Sequence, residues 1–279
     1  MDVNWQNMID FLQITNNPDL ARRCDALPGM RLFVDLEKNG KAERQKGRDT
    51  LISAHHMDDV GRIKSVLARS ALMVRVNPYQ PGNRSATKAE VDEVLVQGAD
   101  LLMLPMFTSA SELLAFSEMV GGRVPIVPLL ETEGALNTCQ EWLDTPGICE
   151  VFVGLNDLHL SLRCRFMFEP LLKGHVDRVA EAALARGLRF GFGGIARVDE
   201  GSVPGRAVLG EHLRMGSRAV ILSRTFNRLD GPKSFETSVQ ELRKAEAELE
   251  LRTPEEINDD RLHTAGLISG LAEAPSVTL

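Results

Sequence analysis

The sequence has 279 residues, of which 43% are hydrophobic and 25% are charged, a composition typical of globular proteins rather than disordered or membrane-spanning ones. The formal net charge is −7 and the basic residues are scattered, which argues against nucleic acid as a partner. No apolar run reaches the roughly 18 to 20 residues of a membrane span, and the first residues do not resemble a secretory signal. The four cysteines lack metal-binding spacing. We therefore expect a cytoplasmic protein with reduced thiols and no membrane partner.

Short runs rich in Val, Ile, Leu, Met and Phe alternate with amphipathic stretches, the pattern of βα units around a parallel sheet. The runs predict eight strands, at residues 8–14, 30–37, 71–77, 100–105, 124–131, 148–155, 188–194 and 218–223. Helices are predicted between them at residues 18–26, 57–69, 88–97, 109–120, 134–143, 170–186 and 204–215. Eight such units in a chain of this length favour a closed barrel.

The predicted fold is therefore α/β, a (β/α)8 TIM barrel with an additional C-terminal helical segment. We expect a catalytic barrel domain at residues 1–235 and a helical extension at residues 236–279. The extension either covers the floor of the barrel or crosses to a neighbouring subunit, and the sequence leaves both open. No GxGxxG motif follows a predicted strand, which excludes a nicotinamide enzyme of the usual kind.

In a parallel barrel the catalytic groups lie at the C-terminal ends of the strands. Glu131 ends one nearly continuous apolar run, and Asp157 follows the next strand. Two neighbouring carboxylates at the rim can share a divalent cation, and oxygen ligands with open water positions suit Mg²⁺ or Mn²⁺, with Co²⁺ also accepted. The alternative is that each acid only caps a following helix.

Arg75 ends another predicted strand, between two valines. A guanidinium at that position can hold a carboxylate or keto oxygen through its planar set of donors. The alternative is a structural ion pair with Asp35 or Glu37. Beside a metal, a rim arginine would complete a site for a small anionic 2-oxo acid.

Several of these segments occur in an order that resembles the HpcH/HpaI aldolase and citrate lyase β-subunit family. The resemblance spans residues 8–226 and rests on Asp35-Leu36-Glu37, Val74-Arg75-Val76-Asn77, Gly98-Ala99-Asp100, Leu104-Pro105-Met106, Glu131-Thr132 and Gly154-Leu155-Asn156-Asp157-Leu158. It implies a metal-assisted lyase that acts on pyruvate-like units, and it implies a homo-oligomer. Glu131 and Asp157 match the family's metal-ligand positions, and Arg75 matches its substrate-binding arginine.

Two positions depart from the family pattern. Aldolases of this type carry a histidine after the acidic end of the second strand, where this chain has Lys38. We expect His55 or His56, in the long second βα connection, or a metal-bound water to replace that histidine as the general base. His55 is the preferred residue, and His159 is a weaker candidate. Met106 follows Pro105 where the citrate lyase branch usually has a lysine, so an acyl-CoA lyase is disfavoured.

The expected reaction cleaves or forms a 4-hydroxy-2-oxo acid. Its partners would be a 2-oxo acid, pyruvate or oxaloacetate, and an aldehyde. We expect Arg75 to steady the developing enolate oxygen, and Gly154, Leu155 and Asn156 to contact the substrate. Asp35 and Glu37 would orient Arg75 or metal waters. Two alternatives remain: a citryl-CoA, malyl-CoA or phosphoenolpyruvate enzyme, and a non-catalytic barrel that binds a 2-oxo acid.

Overall fold

The eight predicted apolar runs all form parallel strands in the computed structural model, which describes residues 8–40, 55–227 and 233–274. Each strand pairs with the next along the chain, and β1 pairs with β8 to close the barrel. The strands are β1 (Asp10–Ile14), β2 (Met30–Asp35), β3 (Leu72–Arg75), β4 (Leu101–Leu104), β5 (Ile126–Leu130), β6 (Glu150–Val153), β7 (Arg189–Ile195) and β8 (Ala219–Leu222). The predicted (β/α)8 barrel is confirmed.

Helices surround this barrel. In chain order they are α1 (Pro18–Asp25), α2 (Met57–Lys64), α3 (Arg84–Val96), α4 (Ala110–Val120), α5 (Glu133–Asn137), α6 (Cys139–Trp142), α7 (Leu155–Ser161), α8 (Glu169–Leu172), α9 (His175–Leu184), α10 (Gly205–Arg214), α11 (Phe235–Leu249) and α12 (Pro254–Glu273). None of the helices in the described part of the chain is long and apolar enough to cross a membrane.

The barrel interior contains its own cluster of apolar side chains, separate from the larger core between strands and helices. Its buried members are Leu12, Phe33, Met73, Met103, Val127, Leu129, Phe152 and Ala219. Side chains alternate along a strand, so the residue two positions after an interior residue lies on the same face, nearer the C-terminal mouth. Asp35, Arg75 and Glu131 each stand two residues after a member of this cluster, which places all three at the mouth.

Two predicted helices are each divided in two. The predicted helix at residues 170–186 is interrupted at Gly174, whose φ of 67° is left-handed and incompatible with continuing a helix. The predicted helix at 134–143 breaks at Thr138, whose hydroxyl donates to the Gly134 carbonyl at 2.9 Å. The predicted helix at 57–69 ends early, at Lys64, and the following turn is held by the Asp25 carboxylate, which accepts three successive backbone amides.

The prediction of a strand over residues 148–155 was wrong at its end. β6 stops at Val153, and α7 begins at Leu155 without a predicted counterpart. Asp157 therefore lies in the first turn of a short helix rather than at a strand terminus. The first-turn amides of a helix lack intrahelical partners and favour a nearby negative charge, so this position suits a carboxylate.

The two C-terminal helices pack against different parts of the barrel. Arg243 of α11 donates to the carbonyls of Ile9 and Gly29 at the N-terminal ends of β1 and β2, and the Ile9 amide donates to Glu246. Helix α12 contacts α8 and α10 on the side of the barrel. Its Ile268 is buried, whereas Leu271 remains exposed. Helix α11 thus covers part of the barrel floor.

His212, on α10, is completely buried between this helix and the barrel. Its ring stacks on Phe192 with 3.8 Å between centroids, and Nδ1 lies 2.7 Å from the Ser217 hydroxyl. Burial lowers the pKa of His212 to about 3. The folded protein therefore resists protonation of this ring at pH values where the unfolded chain accepts a proton.

We expect this histidine to make stability depend on pH. Because its folded pKa lies below the unfolded value near 6.5, stability is full above that value and falls as the pH decreases toward 3. The contribution of His212 to the free energy of unfolding should decrease by about 2 kcal/mol as the pH is lowered from 7 to 5. Urea unfolding at both pH values measures this. His212→Gln should reduce the dependence and His263→Gln, at an exposed position, should not; an undiminished dependence in His212→Gln would refute the assignment.

Candidate active site at the mouth of the barrel

Arg75 and Asp35 form a two-point ion pair at the ends of adjacent strands. The Arg75 Nε and Nη2 atoms donate to the two Asp35 carboxylate oxygens, each at 2.8 Å. The strand register sets these residues opposite each other. Phe33 lies beneath the guanidinium, 5.7 Å from ring centroid to Cζ. The guanidinium is thereby fixed in orientation, and the alternative of a structural pair with Asp35 is realised in the geometry.

Arg75 also faces two further acids through Nη1, the nitrogen that Asp35 does not use. This atom lies 3.4 Å from Glu37 Oε2 and 3.8 Å from Glu131 Oε1. Burial lowers the pKa of Arg75, but Asp35, Glu37 and Glu131 outweigh burial and raise it above its ordinary value. Arg75 therefore stays cationic and joins the acids of β2 to the acid of β5.

Asn77 positions the chain that follows Glu37, a role that the sequence did not reveal. Its side-chain oxygen accepts the backbone amides of Lys38 and Asn39 at 2.9 and 3.1 Å. Its amide nitrogen donates to Glu90 at 2.7 Å. Asn77 thus ties the end of β2 to the end of β3. The sequence signals were its place two residues after Arg75 and its position in the Val74-Arg75-Val76-Asn77 motif.

Glu131 packs directly against Gly154. The Gly154 amide donates to the Leu130 carbonyl at 2.9 Å, continuing the pairing of β5 and β6 past Val153. A Cβ atom built on Gly154 would lie 2.7 Å from the Glu131 carboxylate and 2.6 Å from its Cγ. Because glycine permits this approach, the buried Glu131 carboxylate sits beside the start of the helix that carries the buried Asp157.

Gly154→Ala is expected to damage the site without disrupting the fold. The backbone φ of Gly154 is −85°, which alanine tolerates, so the added methyl acts mainly by displacing the Glu131 carboxylate. A carboxylate displaced by about 1 Å costs about a hundredfold in catalytic rate. The measurement is kcat of the expected lyase reaction, with thermal melting of the same variant to show that the fold is intact. Gly122→Ala would be a poor control because its φ is 70°, whereas Gly82→Ala meets no neighbour within 4 Å. Wild-type kcat in Gly154→Ala would contradict this account.

His56 is exposed and caps the start of α2, whereas His55 and His159 are buried and held in different tautomers. The Asp35 backbone amide donates to Nδ1 of the buried His55 at 3.0 Å, so the neutral ring carries its proton on Nε2. Nδ1 of His159 lies 3.1 Å from the Leu155 carbonyl, which can only accept, so the neutral ring has its lone pair on Nε2. His55 lies beside Asp35 at the end of β2. In its neutral form it presents a donor at Nε2, and His159 presents an acceptor.

The remaining predicted contacts also lie along the rim. Leu155 is buried and touches Gly193 of β7, where a Cβ would lie 2.9 Å from its Cδ1. Asn156 follows it in the first turn of α7. Met106, at the end of β4, has a φ of 58°, a conformation uncommon for residues other than glycine. No sequence signal indicated that strained backbone.

The Glu131 and Asp157 carboxylates fit a divalent cation whose remaining ligands are water or substrate oxygens. No group of three or more His, Cys, Asp or Glu side chains suited to a metal occurs within residues 8–40, 55–227 and 233–274. Glu131 and Asp157 supply two buried carboxylates, one of them in the cradle that Gly154 leaves open. Mg²⁺ typically takes one or two protein carboxylates and fills its other positions with water or substrate oxygens. The two residues are therefore compatible with such an ion.

Residues 11–189 match the family model described as HpcH/HpaI aldolase/citrate lyase. The chain belongs to this family. Family members are lyases that act on carbon–carbon bonds. As a member of the family, this chain is a carbon–carbon lyase. No curated protein matches the sequence.

Solved structures of the family share the fold. A family protein from Burkholderia cenocepacia J2315 is 16% identical, with a TM-score of 0.60 over 88% of this chain and 96% of its own. The HpcH/HpaI aldolase from Desulfitobacterium hafniense DCB-2 is 17% identical, with a TM-score of 0.59 over 98% and 96%. The citrate lyase β subunit from M. tuberculosis, complexed with oxaloacetate and magnesium, is 15% identical, with a TM-score of 0.59 over 88% and 99%.

Proposed function

We propose that this lyase is a metal-dependent pyruvate aldolase. It cleaves a 4-hydroxy-2-oxo acid into pyruvate and an aldehyde, or forms the acid from these two compounds. The observation that carries the proposal is the contact between Gly154 and the Glu131 carboxylate, with Asp157 three residues onward and Arg75 3.8 Å from Glu131. The closeness of Glu131 to Arg75 and to the start of the helix that carries Asp157 supports a site for a cation and an anionic substrate. Magnesium and oxaloacetate in the M. tuberculosis relative support a divalent ion and a 2-oxo acid substrate.

Glu131 and Asp157 would hold the ion, with Mg²⁺ or Mn²⁺ as the expected species and Co²⁺ as a further option. When bound, the ion supplies positive charge that stabilises the enolate of pyruvate. Asp35 keeps the Arg75 guanidinium oriented, and Nη1 is its donor nearest Glu131. We assign Arg75 to the keto oxygen of the substrate on this basis.

The first residues of α7 would contact the substrate carboxylate. The amides of Leu155 and Asn156 lie in the first helical turn, where amides have no intrahelical acceptor. Gly154, which packs against the Glu131 carboxylate, would contact the substrate through its backbone. Glu37, 3.4 Å from Arg75, would act with Asp35 to orient the guanidinium or metal waters.

We propose that His55 and His159 are the two acid–base groups: the lone pair on Nε2 of His159 suits a general base, and the proton on Nε2 of His55 suits a general acid. The Asp35 amide occupies Nδ1 of His55, so a proton taken up at that nitrogen must displace this hydrogen bond. Through Nε2, neutral His55 can instead donate a proton to the aldehyde oxygen during condensation. Exchange of the pyruvate methyl protons with deuterium requires the general base but not the acid that protonates the aldehyde. Of His55→Gln and His159→Gln, the variant that loses this exchange therefore identifies the base.

The citryl-CoA or malyl-CoA lyase reaction is the second candidate, because a citrate lyase β subunit is among the structural relatives. Met106 stands where that branch usually has lysine, which disfavours it. We also propose a homo-oligomeric, cytoplasmic enzyme, with residues 1–235 as the catalytic barrel and 236–279 as a helical extension.

The proposal is tested by exchange of the pyruvate methyl protons with deuterium, followed by NMR. Enzyme with Mg²⁺ or Mn²⁺ should catalyse exchange, and chelator should abolish it. This measurement reports enolisation without knowledge of the aldehyde. Absence of exchange with metal demonstrably bound would reject the pyruvate aldolase and favour either the acyl-CoA reaction or a non-catalytic barrel.

A further inference from the structure

Arg197 is a buried arginine on the catalytic side of the barrel that the proposed chemistry does not use. It lies two residues after the end of β7, and Ile195 at that end pairs with Leu222 at the end of β8. Its side chain is only 5% exposed. All eight strands are parallel, so this residue belongs to the same end of the barrel as Arg75, beside a different pair of strands.

Among the residues that the structure describes, most of the Arg197 guanidinium has no hydrogen-bond acceptor. Within the described residues, Nε and Nη2 are both buried and both lack a partner. Nη1 lies 3.6 Å from the Glu200 carboxylate, which therefore faces a different nitrogen from the two that lack a partner. Buried charged donors are normally paired, and a guanidinium with unused neighbouring donors matches the two oxygens of a carboxylate or phosphate.

The backbone around Arg197 is held in place, so the side chain is presented from a fixed base. Its amide donates to the Thr225 hydroxyl at 3.3 Å, and that oxygen lies 3.0 Å from the Ser223 hydroxyl. Its carbonyl accepts the Glu200 amide at 2.9 Å. A Cβ on Gly205 would lie 2.5 Å from this carbonyl, so the loop packs tightly against the start of α10. The Thr225 hydroxyl, supported by the Ser223 hydroxyl, thus fixes the backbone of Arg197 at the β7–β8 edge.

We propose that Arg197 binds an oxyanion: the carboxylate or phosphate group that the acceptor aldehyde carries at the end remote from its reacting carbon. The identification of the ligand as an aldehyde rests on the proposed aldolase function. The loops after the seventh and eighth strands of parallel barrels frequently bind phosphate. The residue would therefore select anionic aldehydes over neutral ones while the Arg75 side of the mouth holds the 2-oxo acid.

The kinetic test compares aldehydes in matched pairs with pyruvate and Mn²⁺. Succinic semialdehyde is compared with butanal for the carboxylate, and glyceraldehyde 3-phosphate with glyceraldehyde for the phosphate. The wild type should prefer the anionic member of one pair, which identifies the group. Arg197→Gln should lower kcat/KM for that aldehyde about tenfold to a hundredfold, chiefly through KM, and leave the neutral aldehyde unchanged.

Arg206→Gln is the matched control, because Arg206 is nearby, 46% exposed and paired with Glu248. It should keep the wild-type preference. Arg197→Lys retains the charge and provides a folded variant if Arg197→Gln does not fold; it should recover part of the preference. Equal losses for anionic and neutral aldehydes, or no preference in the wild type, would overturn the proposal.

A binding measurement separates this inference from the aldolase function. Inorganic phosphate and succinate are added separately to chelator-treated protein while the Tm is recorded. One of them should raise the Tm of the wild type and of Arg206→Gln but not of Arg197→Gln. That result in a protein that shows no metal-dependent deuterium exchange of pyruvate would support the anion site and reject the aldolase. No rise in the wild type with either anion would overturn the anion site itself.

Discussion

Glu131→Gln and Asp157→Asn should each lower metal-dependent deuterium exchange of pyruvate by more than about a hundredfold. Residues that merely support metal ligands cost about tenfold to a hundredfold when mutated, and the ligands themselves should cost more. Both substitutions preserve side-chain shape and remove the charge that attracts the cation. Titration calorimetry with Mn²⁺ should show weakened binding in the same variants, which links the lost exchange to the ion.

Two exposed acids provide matched controls for this pair. Glu133 lies two residues after Glu131 at the start of α5, and Asp144 lies on the surface opposite Arg186. Glu133→Gln and Asp144→Asn should retain wild-type exchange and Mn²⁺ affinity. If folded Glu131→Gln and Asp157→Asn proteins retain both properties, the metal site lies elsewhere and each acid serves only its local structure.

Arg75→Lys should preserve the fold and lower the kcat/KM of exchange by about a hundredfold to a thousandfold. Lysine keeps the positive charge but cannot reproduce the two-point contact with Asp35 or the oriented donor toward the substrate. Loss of one donor to a developing oxyanion costs a similar factor in other enzymes. Steady-state exchange kinetics at several pyruvate concentrations provide the measurement.

The stability of Arg75 variants separates the catalytic role from a structural ion pair. Arg75→Met should lower the free energy of unfolding by about 3 to 5 kcal/mol, because it leaves the buried Asp35 without its main donor. Adding Asp35→Asn should restore part of that stability but none of the exchange. If the double variant regains exchange, Arg75 is a structural partner of Asp35 and does not act on substrate.

The barrel could be predicted from the sequence because its strands are continuous apolar runs with the periodicity that burial requires. The predicted strands extended too far at their ends. Residues such as Val124 and Leu188 are apolar but lie outside the strand pairing that defines β5 and β7. Helix breaks depend on single backbone conformations. Gly174 divides one predicted helix because it is left-handed, a choice that tertiary packing makes and that composition does not reveal.

The site could be predicted only as far as strand ends are visible in the sequence. Arg75 and Glu131 come together because their strands are registered through the barrel, and the sequence located both. The sequence did not predict the helix that carries Asp157. The few residues between the end of β6 and Asp157 are too short a segment to distinguish a short helix from an extended turn. The function of Asn77 as an acceptor for two loop amides, and the unpaired nitrogens of Arg197, depend on distances between separate loops.

Crystals soaked with Mn²⁺ and pyruvate, with anomalous diffraction recorded, test the central claim most directly. The account predicts an anomalous peak touching the carboxylates of both Glu131 and Asp157, with pyruvate in contact with the ion and with Arg75. Mn²⁺ bound away from these two carboxylates, or pyruvate bound without contact to the ion, would contradict it.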